Sequence, residues 1–255
     1  GKFSGFTSVL SGMGTALKAA AAATAAAVAG AATAIGALTT KAIEGYAAQE
    51  QLVGGVETLF KTSSDTVVGY ANDAYKTAGM SANEYMETVT SFSASLLASM
   101  NNDTAAAAEK ANVAITDMSD NANKMGTDIS LIQNAYNGFA KQNYTMLDNL
   151  KLGYGGTKEE MQRLLDDASK LSGIKYDISS YSDVVDAIHV VQTEMGITGT
   201  TAKEASTTIE GSVSSMSSAW DNWVAGMADS EANFSQLTSN LVDSIVTVVG
   251  NIAPR

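Results

Sequence analysis

From residue 42 onward, apolar side chains recur three and four positions apart, the spacing of one face of an α-helix. Leu52, Val53, Val56, Leu59 and Phe60 make the first face, and Val67, Ala71, Ala74 and Ala78 the next. Residues 81–84 (SANE) read as a capping box, in which the Ser81 hydroxyl accepts the N3 amide and the Glu84 carboxylate returns to the cap. Met86, Val89, Phe92, Leu96 and Met100 follow on one stripe, then Ala108, Ala111, Ile115, Met118, Ala122 and Met125, closed by Gly126. A second box at 157–160 (TKEE) opens a helix through Met161, Leu164, Leu165, Ala168 and Leu171, which Gly173 ends. Val184, Ile188 and Val191 follow Ser180, and a third box spans 201–204 (TAKE). Ile209, Val213, Met216, Trp220, Trp223 and Met227 then hold the spacing for nearly twenty residues. Asp229 is placed to cap a last helix through Phe234, Leu237, Leu241, Ile245, Val248 and Ile252. The pattern predicts helices near 46–60, 64–79, 82–100, 104–125, 129–142, 158–172, 182–195, 201–228 and 230–250. Only Ile174, Tyr176 and Ile178 alternate as a short extended piece would.

The fold class expected is all-α: a multi-helix bundle or array of amphipathic helices, with an Ala/Gly-rich apolar helix at the N-terminus. Composition agrees. The one proline is Pro254, and proline breaks helix interiors and central strands alike. Aromatic residues are 7% of the chain and alanine supplies much of its apolar content, so contacts between helices should be shallow. Charge divides the chain. Residues 1–41 hold Lys2, Lys18 and Lys41 and no acid, whereas 42–255 carry 12 basic against 27 acidic groups. This sets an apolar segment, 1–41, apart from a helical core region, 42–255. Within the first, residues 19–40 are uncharged. As a helix they would be about 33 Å long, enough to cross the hydrocarbon of a bilayer. Their strongly apolar members are only Val28, Ile35 and Leu38, so membrane insertion, helix packing and disorder all stay open. The chain begins at Gly1, not Met, and reads as a piece of a longer polypeptide.

Charge and residue types also limit the chemistry. An acidic body without a basic face is the wrong partner for phosphate backbones, so no nucleic-acid binding is expected. There is no cysteine, and His189 is the only histidine. Catalytic and metal sites gather several such groups, so the reading is non-enzymatic, with no metal, cofactor or catalytic residue. Asp166 and Asp167 are neighbours on a helix and do not face each other. Gly153, Gly155 and Gly156 precede a helix but lack phosphate-loop spacing, which favours a tight turn over an anion cradle. The face of Ile209, Val213, Met216, Trp220, Trp223 and Met227 is either a helix-packing seam or a partner-binding stripe, since Trp and Met are enriched at interface anchors.

Longer strings carry a family resemblance. "QLVGGVETLFK", "YANDAYKTAGMSANEYMETVTSFSASLL", "AITDMSDNANKMGTDIS", "IQNAYNGFAKQNYTMLDNLKLGYGGTKEEMQRLL", "DVVDAIHVVQTEMGITGTTAKEAS" and "LVDSIVTVVGNIAPR" resemble the tail tape-measure proteins of long-tailed bacteriophages and prophages of Gram-positive bacteria. The resemblance covers residues 40–255, and 1–40 resemble the family's apolar stretch. It implies a virion structural protein that lies in the tail-tube lumen, sets tail length, scaffolds tube assembly in the host cytoplasm and leaves ahead of the genome. The implied partners are the tail tube protein, tail assembly chaperones, tail-tip proteins and other copies of itself. The alternative is a membrane-active helical protein that assists genome entry through the host membrane. A wall-cleaving hydrolase, which some family members carry, finds no catalytic motif here.

Overall fold

The computed structural model describes the backbone of residues 25–253 and the side chains of residues 36–253. Among them there is no strand, and the fold is an all-α array of helices. In chain order these are α1 (Ala25–Phe60), α2 (Ser64–Thr77), α3 (Ala82–Ser99), α4 (Thr104–Met125), α5 (Ile129–Phe139), α6 (Lys158–Ser172), α7 (Tyr181–Glu194), α8 (Thr200–Thr207), α9 (Ile209–Gly226) and α10 (Phe234–Ile252). Single 3-10 turns stand at Lys61–Ser63 and Leu147–Leu150.

Local signals placed most boundaries. The 81–84 box forms as expected: Ser81 accepts from the Glu84 amide, and Glu84 Oε2 accepts from the Ser81 amide at 2.8 Å. Asp103 caps α4 through the amides of Ala105 and Ala106, and Gly126 ends it in the left-handed region that glycine adopts without strain. The 157–160 box is half formed. Thr157 accepts from Glu160, but the Glu160 carboxylate turns to the Gly155 amide and to Arg163.

Other expectations fail where distant residues intervene. The helix expected over 201–228 is two helices, because Thr208 is extended (φ −117°, ψ 156°) and caps α9 by accepting from Gly211. Gly211 permits the break: a Cβ there would lie 2.5 Å from the backbone carbonyl of Glu204. The 201–204 box does not form. Gly199 is the N-cap of α8, and Asp120 of α4 caps the helix from outside, accepting from Gly199 at 2.6 Å and Thr201 at 2.7 Å. Asp229 does not cap α10 either. Its carboxylate accepts from the Glu231 amide, and Asn233 caps the helix. Residues 174, 176 and 178 are irregular, not extended in a sheet.

The core lies where α2 to α7 meet. Tyr85, Phe92, Leu96, Ile115, Met118, Ile132, Tyr136 and Phe139 are almost wholly enclosed. α1 crosses α9 at small residues, since a Cβ on Gly45 would come within 3.2 Å of Ala225 Cβ. The backbone of α1 runs unbroken through Lys41, where charge and composition change.

Of the readings left open for residues 19–40, the transmembrane helix is corrected. Among the described residues no helix is long and apolar enough to cross a membrane. α1 has the length, but its apolar character is mostly alanine, and Lys41, Glu44 and Glu50 enter within three turns. Residues 19–24, and the side chains of Val28 and Ile35, lie outside what the structure describes. Leu38 is half-buried against the cluster of Ala42, Ala219 and Trp223.

Candidate interaction surface

The predicted stripe lies on α9, whose two faces divide by size. Ser212, Ser215, Ser218, Ala219 and Ala225 are buried. Hydrogen bonds tie this helix to the body: Ser218 Oγ donates to Gly79 O at 3.1 Å, and Asn222 Oδ1 accepts from the Ala82 amide at 2.7 Å. Small side chains let helix backbones approach closely, so the seam with the body carries little apolar bulk. The large side chains turn instead toward α10. Trp223 is buried, stacks on Trp220 at 5.3 Å and meets Phe234 at 5.4 Å, and its Nε1 donates to Thr238 Oγ1 at 3.1 Å. Met216 and Met227 are half-buried in the same cluster. Gly226 makes room for Leu237, whose Cδ1 would be 2.3 Å from an added Cβ. Ile209 is half-buried, whereas Val213 and Trp220 are exposed, 40% and 43%.

α10 is apolar on two adjacent faces and uses one. Leu241, Ser244 and Val248 are buried against α9. Val242, Ile245, Val246, Val249 and Ile252 are 43–64% exposed. Positions 242, 245, 249 and 252 alternate by three and four, as the a and d positions of a coiled-coil seam do, with valine at both a positions. Asp243 is the only charge in the helix. A contiguous uncharged apolar ridge of this kind is a candidate interaction surface. Ile245 and Ile252 were legible as part of the last stripe. Val242, Val246 and Val249 were missed, although they sit one step round the same helix.

His189 is half-buried and not a lone surface residue. Its Nδ1 lies 2.9 and 3.0 Å from the two carboxylate oxygens of Asp117 on α4. Asp117 is 1% exposed, and burial pushes its carboxyl up while the hydrogen bond from His189 opposes this. The Asp117 hydrogen bond in turn raises the imidazole above its ordinary value, against burial. Nearby, Lys110 pairs with Asp186, Gln192 donates to Asp117 O, and Asn121 donates to Gln192 and to Leu150 O. These contacts pin α7 to α4. Sequence reasoning missed Asp117, Asp120 and Asn121. Their three- and four-residue spacing beside the apolar stripe of α4 was the available signal.

The loop at 153–156 has its amide donor engaged, since Gly155 N donates to Glu160 at 3.0 Å. Arg163 donates to Gly153 O at 2.8 Å and covers the Tyr154 ring at 4.3 Å, so the loop is locked on α6. Asp166 accepts from Gln162 and Asp167 pairs with Lys170, each within its own helix. Among the described residues no group of three or more His, Cys, Asp or Glu could hold a metal ion. No family model, curated protein or solved structure matches the chain.

Proposed function

We propose that this chain is a segment of a phage tail tape-measure protein, a non-enzymatic structural ruler that acts in the lumen of the tail tube. What carries the reading is the resemblance of the long strings over residues 40–255 to that family. The all-helical fold supports it, because the helices can be drawn apart along the chain while each keeps its internal backbone hydrogen bonds. The compact array is then the state outside the tube. Threading into the lumen exchanges its helix–helix contacts for contacts with the tube wall and with other copies.

The exposed ridge of α10 is, on this reading, where a second copy docks. The partner is argued from the ridge itself: a and d spacing with β-branched valines at a suits pairing with an identical helix, and the near absence of charge leaves no repulsion between equal ridges. Tail tube protein, chaperones and tail-tip proteins remain the partners of the full polypeptide.

Tail length tests the reading. Removing residues 104–194 in frame from the parent gene takes out 91 residues. Tails should shorten by about 140 Å at 1.5 Å per residue, measured by electron microscopy. Intact tails of unchanged length would remove the ruler role from this segment.

A further inference from the structure

The break between α8 and α9 carries a consequence that stands whether or not the chain is a ruler. A single residue separates the two helices: Thr208, extended at φ −117° and ψ 156°, closes α8 and caps α9. Nothing in the covalent chain demands this break. Residues 200–226 contain no proline, and their apolar spacing is that of one helix. Rotating Thr208 to helical values, chiefly ψ from 156° to about −42°, would join α8 and α9. The product is one helix about 40 Å long.

The two arrangements trade one set of hydrogen bonds for another. In a continuous helix the amides of Ile209, Glu210 and Gly211 donate to the carbonyls of Ala205, Ser206 and Thr207. In the kinked form Gly211 N donates instead to Thr208 Oγ1, at 3.0 Å. Asn251, near the end of α10, closes the other side of the kink: its Nδ2 donates to Thr208 O at 3.0 Å and to Ser206 O at 3.4 Å. The bonds from Thr208 N to Glu204 O and from Ser212 N to Thr208 O are those a straight helix would also make. Gly211 serves both forms. Its missing Cβ admits the Glu204 carbonyl in the kink, and its poor helix propensity weakens the straight alternative. Local terms thus leave the two forms close, and packing chooses the kinked one.

That packing is unequal on the two sides. α8 is fixed to α4 by the Asp120 cap and by Asn123, which donates to Glu204 at 2.8 Å. α10 makes its main contacts with α9, so these two helices form a hairpin with its own apolar contacts, Trp223 against Phe234 among them. Small side chains hold that hairpin to the body, and Asn251 ties its far end to the fixed α8. We propose that Thr208 is a two-state hinge and Asn251 its latch: on release, residues 200–226 become one helix and the α9–α10 hairpin swings off the body as a unit.

The test uses the absence of cysteine. Glu87→Cys on α3 and Ser239→Cys on α10, both at exposed positions, place one spin label on the body and one on the hairpin. Pulsed double electron–electron resonance on the dilute full chain reads the distance between them. A second, longer distance is expected as a minor population, enlarged several-fold by Asn251→Ala. The double variant Thr208→Ala/Gly211→Ala removes the cap, obstructs the kink and favours helix, so it should enlarge that population about tenfold or more. Ile209→Pro, added to Asn251→Ala, should abolish it. Proline at the first position of α9 needs no donor and holds the residue before it extended. Helicity by far-ultraviolet dichroism should stay constant throughout, and a longer distance that comes with lost helicity would count as unfolding and against the hinge. Should the double variant fail to fold, Asn251→Ala with and without Ile209→Pro decides. A longer distance that the proline removes supports the hinge; no longer distance, or one the proline leaves in place, overturns it.

Discussion

The chain builds two kinds of core from the same helical grammar. Between α2 and α7, tyrosine, phenylalanine, leucine and methionine interlock, and most are sealed from solvent. Between α9, α10 and α1, the best enclosed apolar residues are Ala42 and Ala219, each 1% exposed, while Trp223 and Leu241 keep 8%. The first region buries bulk and should melt as a unit. The second buries small side chains toward the body and shows its bulk to α10 and solvent. Stability by area burial therefore favours the first, and adaptability to a partner the second.

The largest perturbation should come from emptying the tight region. Phe92→Ala, at a side chain 2% exposed, should cost about 3–5 kcal/mol, read as a lower denaturant midpoint by far-ultraviolet dichroism. Trp223→Ala should cost about 3 kcal/mol, the low end for a buried aromatic, and act locally. Amide exchange should speed up in α10 while α3 and α4 keep their protection. Equal acceleration in all helices would erase the distinction between the regions.

A smaller effect, about 1 kcal/mol once solvent screening of the partly exposed imidazole is allowed for, belongs to the His189–Asp117 pair that joins α4 to α7. The imidazole is raised in the folded state, so the protonated ring stabilises the fold. That contribution is full below about pH 6.5, the ordinary imidazole value, and is lost as pH rises through the raised folded value. Melting curves from pH 6 to 9 should show this loss, and His189→Asn should flatten it. A smaller change again should come from Tyr136→Phe. The Tyr136 hydroxyl is buried without a partner, so removing it should leave stability unchanged or raise it by up to about 1 kcal/mol. On the open ridge, Val249→Asp should alter monomer stability by no more than about 0.5 kcal/mol while abolishing concentration-dependent association in sedimentation.

Sequence showed most where the determinants were neighbours in the chain. The Ser81 box, the Asp103 cap and the glycine stops at 126 and 173 act over one helical turn, and each boundary fell at or next to its predicted place. It failed where the partner came from elsewhere. Asp120 made the 201–204 box unnecessary, and the close passage of Gly211 over Glu204 split an otherwise continuous helix. The candidate surface was half legible. Counting bulky residues found Trp220 and Trp223, but it assigned no role to the serines and alanines that face the body. It also stopped at one apolar face of α10, where there are two.

The Asp120 cap has a consequence for the order of events during synthesis. The carboxylate and the amides it accepts from are 79 and 81 residues apart. A ribosome adding about 5–20 residues per second leaves an interval of roughly 4–16 s between them. Throughout that interval α4 can be complete while its acid has no amide to hold. A fully buried charge cannot wait in that state, so the α4 surface around Asp120 must stay hydrated until α8 arrives. The tight region thus closes its last side only once residues 199–201 have been made, and translation speed over residues 121–201 becomes a variable of folding.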